Sequence, residues 1–263
     1  MRTEQAAAAG RLKRRIVVFT DLDDTLFQAG RKCGPGKLHP ITLTKDGLAG
    51  SFCTSGQRAL LELLLENAAV IPVTARSSNA FKRVQIPFAH GAIVSFGGVI
   101  LRPDGKIDAA WRRRMAGQCA GAASLLAFLL KTAEDLISGK SLACKARILS
   151  DDGLDFYLLV KPDPCHPEDL TALKEGLDSA LGTLDVRIHH SNDSLALLPP
   201  FLGKAAAVSY FQETYVTPAM EDPLLIGAGD SFSDLGFLRQ CAYMLLPSAS
   251  QLAEAIACGE RRT

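Results

Sequence analysis

The stretch IVVFTDLDDTL, Ile16 to Leu26, passes from apolar to acidic within a few residues. Its first four residues are apolar and mostly β-branched, the pattern of a strand buried on both faces of a parallel sheet. Asp21, Asp23 and Asp24 then crowd the point where the chain leaves that strand, with Thr25 next. A parallel sheet places its ligand site beyond the carboxyl ends of its strands, so chemistry is expected here. Two carboxylates about 4 Å apart repel by roughly 4 kcal/mol at an effective dielectric near 20. A site that keeps both ionised calls for a cation or a shared proton.

Outward from this loop, residues 28–57 are rich in Gly, Lys and Thr, and HPITLT and LAGSF flank a Lys45-Asp46-Gly47 turn. That reads as a long β-hairpin over residues 28–56, either a flap over the site or a plain surface excursion. Gln57 to Asn67 carries Leu60, Leu61, Leu63, Leu64 and Leu65 and reads as a helix packed on the sheet. AAVIPVTAR is a second buried strand ending at Thr74, and AHGAIVSFGGVIL a third with a Gly97-Gly98 turn. Strand and helix alternate, which predicts an α/β fold with a Rossmann-like parallel sheet.

From about Arg102 the texture changes. Residues 108–138 read as one or two helices, CKARILS and DDGLDFYLLVKP as two strands, 166–182 as a helix, and VRIHHS and SLALLP as two more strands around Asn192-Asp193. The order αββαββ is an open, mostly antiparallel α+β sandwich, unlike its flanks. At Gly203 the alternation resumes, with a helix from Lys204, a strand ending on Asp230, a short helix, a strand AYMLLP and a last helix capped by Ser248 or Ser250 and ended by Gly259. The expected division is therefore a core over 1–101, with 1–15 as a frayed leader, an inserted cap over 102–199, and the rest of the core over 200–263.

Composition narrows the function classes. Hydrophobic residues at 48% and charged residues at 22% are those of a soluble globular protein. A net charge of +1 gives no reason to expect nucleic acid or an anionic membrane as partner. The seven cysteines are scattered and never spaced CxxC, which argues against a disulfide framework or a zinc site and suits the cytoplasm. The longest uncharged run, Met115 to Leu130, is too short and too polar for a membrane span. A monomer or dimer is expected.

Four strand or helix ends carry polar groups at one edge of one sheet: Asp21 with Asp23, Thr74, Lys204, and Asp230 with Asp234. Taken singly, each reads as a cap, a turn residue or a solvated lysine. Together they suit phosphoryl transfer through a covalent intermediate. Asp21 is placed as the nucleophile, and Asp23 as the acid that protonates a leaving alcohol and the base that then activates water. Magnesium takes a near-octahedral oxygen shell, to which Asp21, the backbone carbonyl of Asp23 and Asp230 contribute, with Asp234 holding metal waters. Thr74 and Lys204 bind the phosphoryl oxygens.

These stretches resemble the four motifs of the haloacid dehalogenase superfamily of phosphohydrolases. DLDDT is similar to its DxDxT motif, VTAR places Thr74 as its second motif does, Lys204 in GK falls where the third is expected, and GDSFSD has the GDxxxD form of the fourth. An αββαββ cap between the second and third motifs resembles the subgroup of sucrose-phosphate phosphatase, trehalose-phosphate phosphatase and phosphomannomutase. The resemblance implies magnesium, an aspartyl-phosphate, and a small phosphorylated metabolite, a sugar or polyol phosphate, selected by the cap. The chain departs from the pattern at Asp24, where many members have Gly, and at Ser95-Phe96-Gly97-Gly98, where sugar phosphatases often have Asn-Gly. Lys145, Arg147, Lys161, Arg187, His189 and His190 are candidate cap contacts, and Trp111-Arg112-Arg113-Arg114 reads as a solvated helix end. The rival enzyme is a phosphomutase using Asp21 and Asp23. From another class comes a non-catalytic interaction protein that keeps the fold.

Overall fold

The computed structural model describes residues 15–191 and 193–260; residues 1–14, read as most of the frayed leader, and Asn192 of the Asn192-Asp193 turn lie outside them. The chain forms two compact units, one made of the residues up to Asp108 and from Lys204 onward, the other of Ala109–Gly203.

In the first unit, β1 (Ile16–Thr20) is followed by β2 (Gln28–Ala29), β3 (Leu38–Pro40) and β4 (Ser51–Thr54). These three make a small antiparallel sheet in the order β2-β4-β3. The expected hairpin is its β3–β4 half, closed where Gly47 N–H bonds the Thr44 carbonyl at 3.2 Å and Gly47 takes φ +78°. Helix α1 (Ser55–Asn67) begins two residues before the expected Gln57, because Thr54 caps it: Thr54 Oγ1 accepts from Gln57 N–H at 3.2 Å, and Gln57 Oε1 from Thr54 N–H at 3.0 Å.

Strand β5 (Ala69–Pro72) and the one-turn α2 (Ser78–Phe81) come next. The third apolar run meets the end of the parallel sheet, Ile93 bridging Val73 in parallel and accepting from Thr74 N–H at 2.8 Å, but it is not a single strand. It folds as an antiparallel pair, β6 (Ala92–Val94) with β7 (Val99–Leu101). Its turn takes more than the two glycines, for Ser95, Phe96 and Gly97 all have left-handed φ, at 52°, 55° and 94°. A left-handed residue with a Cβ costs about 1–2 kcal/mol.

The second unit runs α3 (Ala109–Gly139), β8 (Cys144–Asp151), β9 (Leu154–Pro162), α4 (Asp169–Leu181), β10 (Arg187–Ser191) and β11 (Ser194–Leu198). Its sheet, ordered β10-β11-β9-β8, is antiparallel throughout. Leu126, Leu129 and Ala133 of α3 and Leu170, Leu173 and Leu177 of α4 recur at helical spacing. They pack on Leu158, Val160, Leu195 and Leu197, which alternate along two strands.

Back in the first unit, α5 (Lys204–Phe211) runs on into a π-helical turn over Gln212–Val216. Then come β12 (Leu224–Ala228), α6 (Leu235–Leu238), β13 (Tyr243–Leu245) and α7 (Gln251–Glu260). Ser250 rather than Ser248 caps α7, its Oγ accepting from Ala253 N–H at 3.2 Å, and the helix continues through Gly259. The main sheet is parallel in the order β13-β12-β1-β5, with β1 buried between two partners. Pro72 belongs to the terminal strand of this ladder, where a missing N–H is tolerated. Thr20 pairs in register with Ala228 on one side and Pro72 on the other. Asp21, Gly229 and Val73 therefore leave the sheet at one level.

Candidate active site

The register places the site. Asp21 N–H extends the ladder to the Ala228 carbonyl at 2.8 Å, and Val73 N–H bonds the Thr20 carbonyl at 2.7 Å. Lys204, the first residue of α5, is buried, and its ammonium donates to Asp21 Oδ1 and Asp234 Oδ1, both at 2.6 Å. The same ammonium lies 5.9 Å from the centre of the Phe96 ring. The left-handed turn at Ser95–Gly97 therefore presents an aromatic face to a buried cation.

Asp234 is fully buried, and its second oxygen accepts from the N–H groups of Asp230 (3.2 Å) and Ser231 (3.0 Å) and from Ser231 Oγ (2.9 Å). The turn closes only around glycine: a Cβ on Gly229 would stand 2.7 Å from that of Asp234. Asp230 is held from the first loop, its Oδ1 accepting from Thr25 Oγ1 at 3.2 Å. Asp21, Asp230 and Asp234 each offer an oxygen within 4.8 Å of the others.

The electrostatics follow from burial. Desolvation, reinforced by Asp234 and Asp230, raises the Asp21 carboxyl well above the usual range even against Lys204. Desolvation and then Asp234 push Asp230 up to about 6. Burial also works against Asp234, but Lys204 and the Ser231 donors outweigh it and hold that carboxyl below the usual range. Lys204 is held above its usual value, its own desolvation overcome by Asp21 and Asp234. Three carboxylates against one ammonium leave a formal charge of −2 when all are ionised. This buried set of oxygens matches one divalent, oxygen-seeking cation.

The other candidates stand differently. Asp23 was assigned to the cation with Asp21, Asp230 and Asp234, through its backbone carbonyl. Its carboxylate is not in the acidic group and pairs instead with Arg76, Oδ2 to Nε and Oδ1 to an Nη, each at 2.7 Å. Thr74 is buried at the end of β5, and its hydroxyl oxygen accepts from Arg76 N–H at 3.1 Å. Asp24 explains its own departure from glycine: its φ is +62°, a left-handed conformation that Asp tolerates better than most residues, and its carboxylate pairs with Lys32 at 2.5 Å.

Two further residues, Arg76 and Ser231, enter the site through their bonds to Asp23 and Asp234. A basic residue two positions after Thr74 was the signal for the first; the second is visible only as a serine inside GDSFSD.

In the sheet of the second unit, Lys145 lies directly opposite Lys161, Arg147 opposite Leu159, and His189 opposite Ala196, so the pleat puts all of them on one face. His190 pairs with Leu195 of the cap core and takes the other face, where burial lowers its pKa. It therefore lies on the opposite face from Lys145, Arg147, Lys161 and His189. Arg187 donates to the Leu202 carbonyl. Of the basic helix start, Arg112 pairs with Asp152 at 2.5 Å and Arg114 lies over the Trp111 ring at 5.2 Å.

No protein-family model and no curated protein sequence matches the chain. Solved structures do. The sucrose-phosphatase of Synechocystis sp. PCC6803, in complex with sucrose and phosphate, is 19% identical over 94% of this chain and 98% of that one, with a TM-score of 0.51. The C-terminal domain of C. albicans trehalose-6-phosphate phosphatase is 13% identical over 90% and 77%, with a TM-score of 0.53. The Plasmodium falciparum IMP-nucleotidase is 12% identical over 98% and 71%, with a TM-score of 0.54. At these identities the likeness is one of fold. The chain shares the fold of these structures, an α/β unit interrupted in sequence by an α+β unit, which is the fold expected from its DLDDT, VTAR, GK and GDSFSD stretches.

Proposed function

We infer that the protein is a magnesium-dependent phosphatase that hydrolyses a small phosphorylated metabolite, a sugar or polyol phosphate, through an aspartyl-phosphate on Asp21. The observation that carries this reading is Lys204 Nζ held at 2.6 Å from both Asp21 and Asp234, with the Asp230 carboxylate in the same group. Asp21 and Asp230 would hold the cation, with the Asp23 carbonyl, and Asp234 would hold its waters. Bound there, magnesium neutralises charge on the phosphoryl oxygens.

In the first step an Asp21 oxygen bonds to phosphorus, the ester P–O bond breaks, and Asp23 gives its proton to the leaving alkoxide. In the second, water bonds to phosphorus and loses its proton to Asp23. The Asp21–phosphorus bond breaks, and inorganic phosphate leaves. The Lys204 ammonium favours the ionised, nucleophilic form of Asp21 and, with the Thr74 hydroxyl, binds phosphoryl oxygens.

The sugar-phosphate class draws support from the likeness in fold to a sucrose-phosphatase and a trehalose-6-phosphate phosphatase. Seven free thiols suit a cytoplasmic setting. Among the described residues no helix is long and apolar enough to cross a membrane.

The test is magnesium-dependent phosphate release from p-nitrophenyl phosphate and a panel of sugar phosphates by the parent protein and by Asp21→Asn. Turnover by the parent and a loss of about 10⁴-fold or more in the variant are expected. Unchanged turnover in Asp21→Asn, or an isomerised sugar phosphate without phosphate release, overturns the reading.

A further inference from the structure

We propose that Arg76 is the positioning residue for Asp23, fixing the carboxylate that takes the proton of the hydrolytic water; this rests on the phosphatase reading above. Asp23 sits on the first loop with a side chain 45% exposed, and an unrestrained carboxylate there would sample several rotamers. Arg76 removes that freedom. Its Nε and one Nη meet the two Asp23 oxygens at 2.7 Å each, the fork geometry that a lysine cannot reproduce.

The arginine is itself held from four sides. Its N–H donates to Thr74 Oγ1 at 3.1 Å, and its carbonyl accepts from Ser95 N–H at 2.7 Å. The guanidinium carbon lies 5.2 Å from the centre of the Phe27 ring, and an Nη reaches Ser51 Oγ on β4 at 3.3 Å. Two segments distant in sequence, the first loop and β4, thus converge on the Arg76 side chain, while Ser95 and Thr74 hold its backbone. Such over-determination is what a precisely placed base requires, since small displacements cost large factors in rate. It also gives the small β2-β4-β3 sheet a part in the site, as the wall against which Arg76 is braced.

p-Nitrophenyl phosphate isolates the step in question. Its phenolate leaves without needing a proton, so formation of the aspartyl-phosphate does not depend on Asp23. Its hydrolysis does: water bonds to phosphorus, Asp23 accepts the proton, and the bond to Asp21 breaks.

Rapid mixing of the full chain with magnesium and this substrate should give, for Arg76→Ala, a burst of about one p-nitrophenolate per active site. A steady rate about 10- to 100-fold below that of the parent protein should follow, part of the 10²- to 10⁴-fold a general base supplies. Added guanidinium chloride at millimolar concentration should raise the steady rate, and Arg76→Lys should fall between alanine and the parent. If Arg76→Ala does not fold, Arg76→Lys alone should still show a burst. Parent-like turnover in Arg76→Ala overturns the proposal, as does a slow rate without a burst or one that guanidinium leaves unchanged. A parent protein with no magnesium-dependent turnover instead overturns the underlying phosphatase reading, which separates the two failures.

Discussion

The two units treat charge differently. At the carboxyl edge of the parallel sheet, Asp21, Asp234 and Lys204 are buried and locked to one another. In the cap the interior is almost wholly leucine, and Lys145, Arg147, Lys161 and Arg187 are exposed on the sheet. Burying an ion pair costs desolvation of both partners, and a hydrophobic substitute of the same shape is often as stable. The first unit therefore carries an arrangement that stability alone does not require, whereas the second is held by a leucine-rich interior with its lysines and arginines on the surface. Chemistry is located by the place where the fold departs from its cheapest solution.

Removing the central cation should break this contrast most visibly. Lys204→Met leaves two buried carboxylates facing each other and should lower unfolding free energy by about 3–5 kcal/mol, measured by urea denaturation at neutral pH without divalent ions. A loss under about 1 kcal/mol would mean that the charges are not as tightly held as their geometry indicates.

The cap offers the matching experiment on packing. Leu158→Ala on β9 removes a fully buried side chain and should cost about 2–5 kcal/mol by the cavity it leaves. In a panel of substrates it should slow turnover of p-nitrophenyl phosphate less than that of a sugar phosphate, if the cap selects the leaving group.

The smallest effect sharpens the electrostatics. Burial and Asp234 raise Asp230 to about 6 in the cation-free site. An acid whose folded pKa is raised favours the folded state at low pH, and that contribution is lost as pH rises from the ordinary carboxylate value towards 6. A cation that needs the ionised form reverses the dependence. Magnesium affinity by titration calorimetry should fall by at least about tenfold, or 1.4 kcal/mol, per unit below pH 6, because Asp21, also raised by burial, must lose its proton as well. Magnesium should accordingly raise the melting temperature more at pH 7.5 than at pH 5. Affinity that is flat down to pH 5 would remove Asp230 from the cation site.

Much of this was legible in the residues. Continuous apolar runs marked β1, β5 and β12, and the alternating HPITLT with Lys45-Asp46-Gly47 marked the β3–β4 hairpin. Asp21, Asp230, Asp234 and Lys204 could be nominated because each follows or opens such an element. The errors were of another kind. AHGAIVSFGGVIL was read as a strand with a glycine turn, but it bends back through left-handed Ser95 and Phe96, residues that carry no turn signal. His190 was grouped with His189, although the pleat sends adjacent side chains to opposite faces.

What the sequence determined by itself is what short-range physics encodes: which segments are buried strands, that the last helix begins at a capping serine, and which loops carry acid. Only the tertiary structure decided that Asp23 belongs to Arg76, 53 positions away, and that Lys204 is shared between Asp21 and Asp234. Periodicity and turn chemistry act within a few residues, so they can be read along the chain. The partner of a buried charge is chosen by proximity in space and by the loss of water around it, and neither exists until the strand ends have been brought to one level.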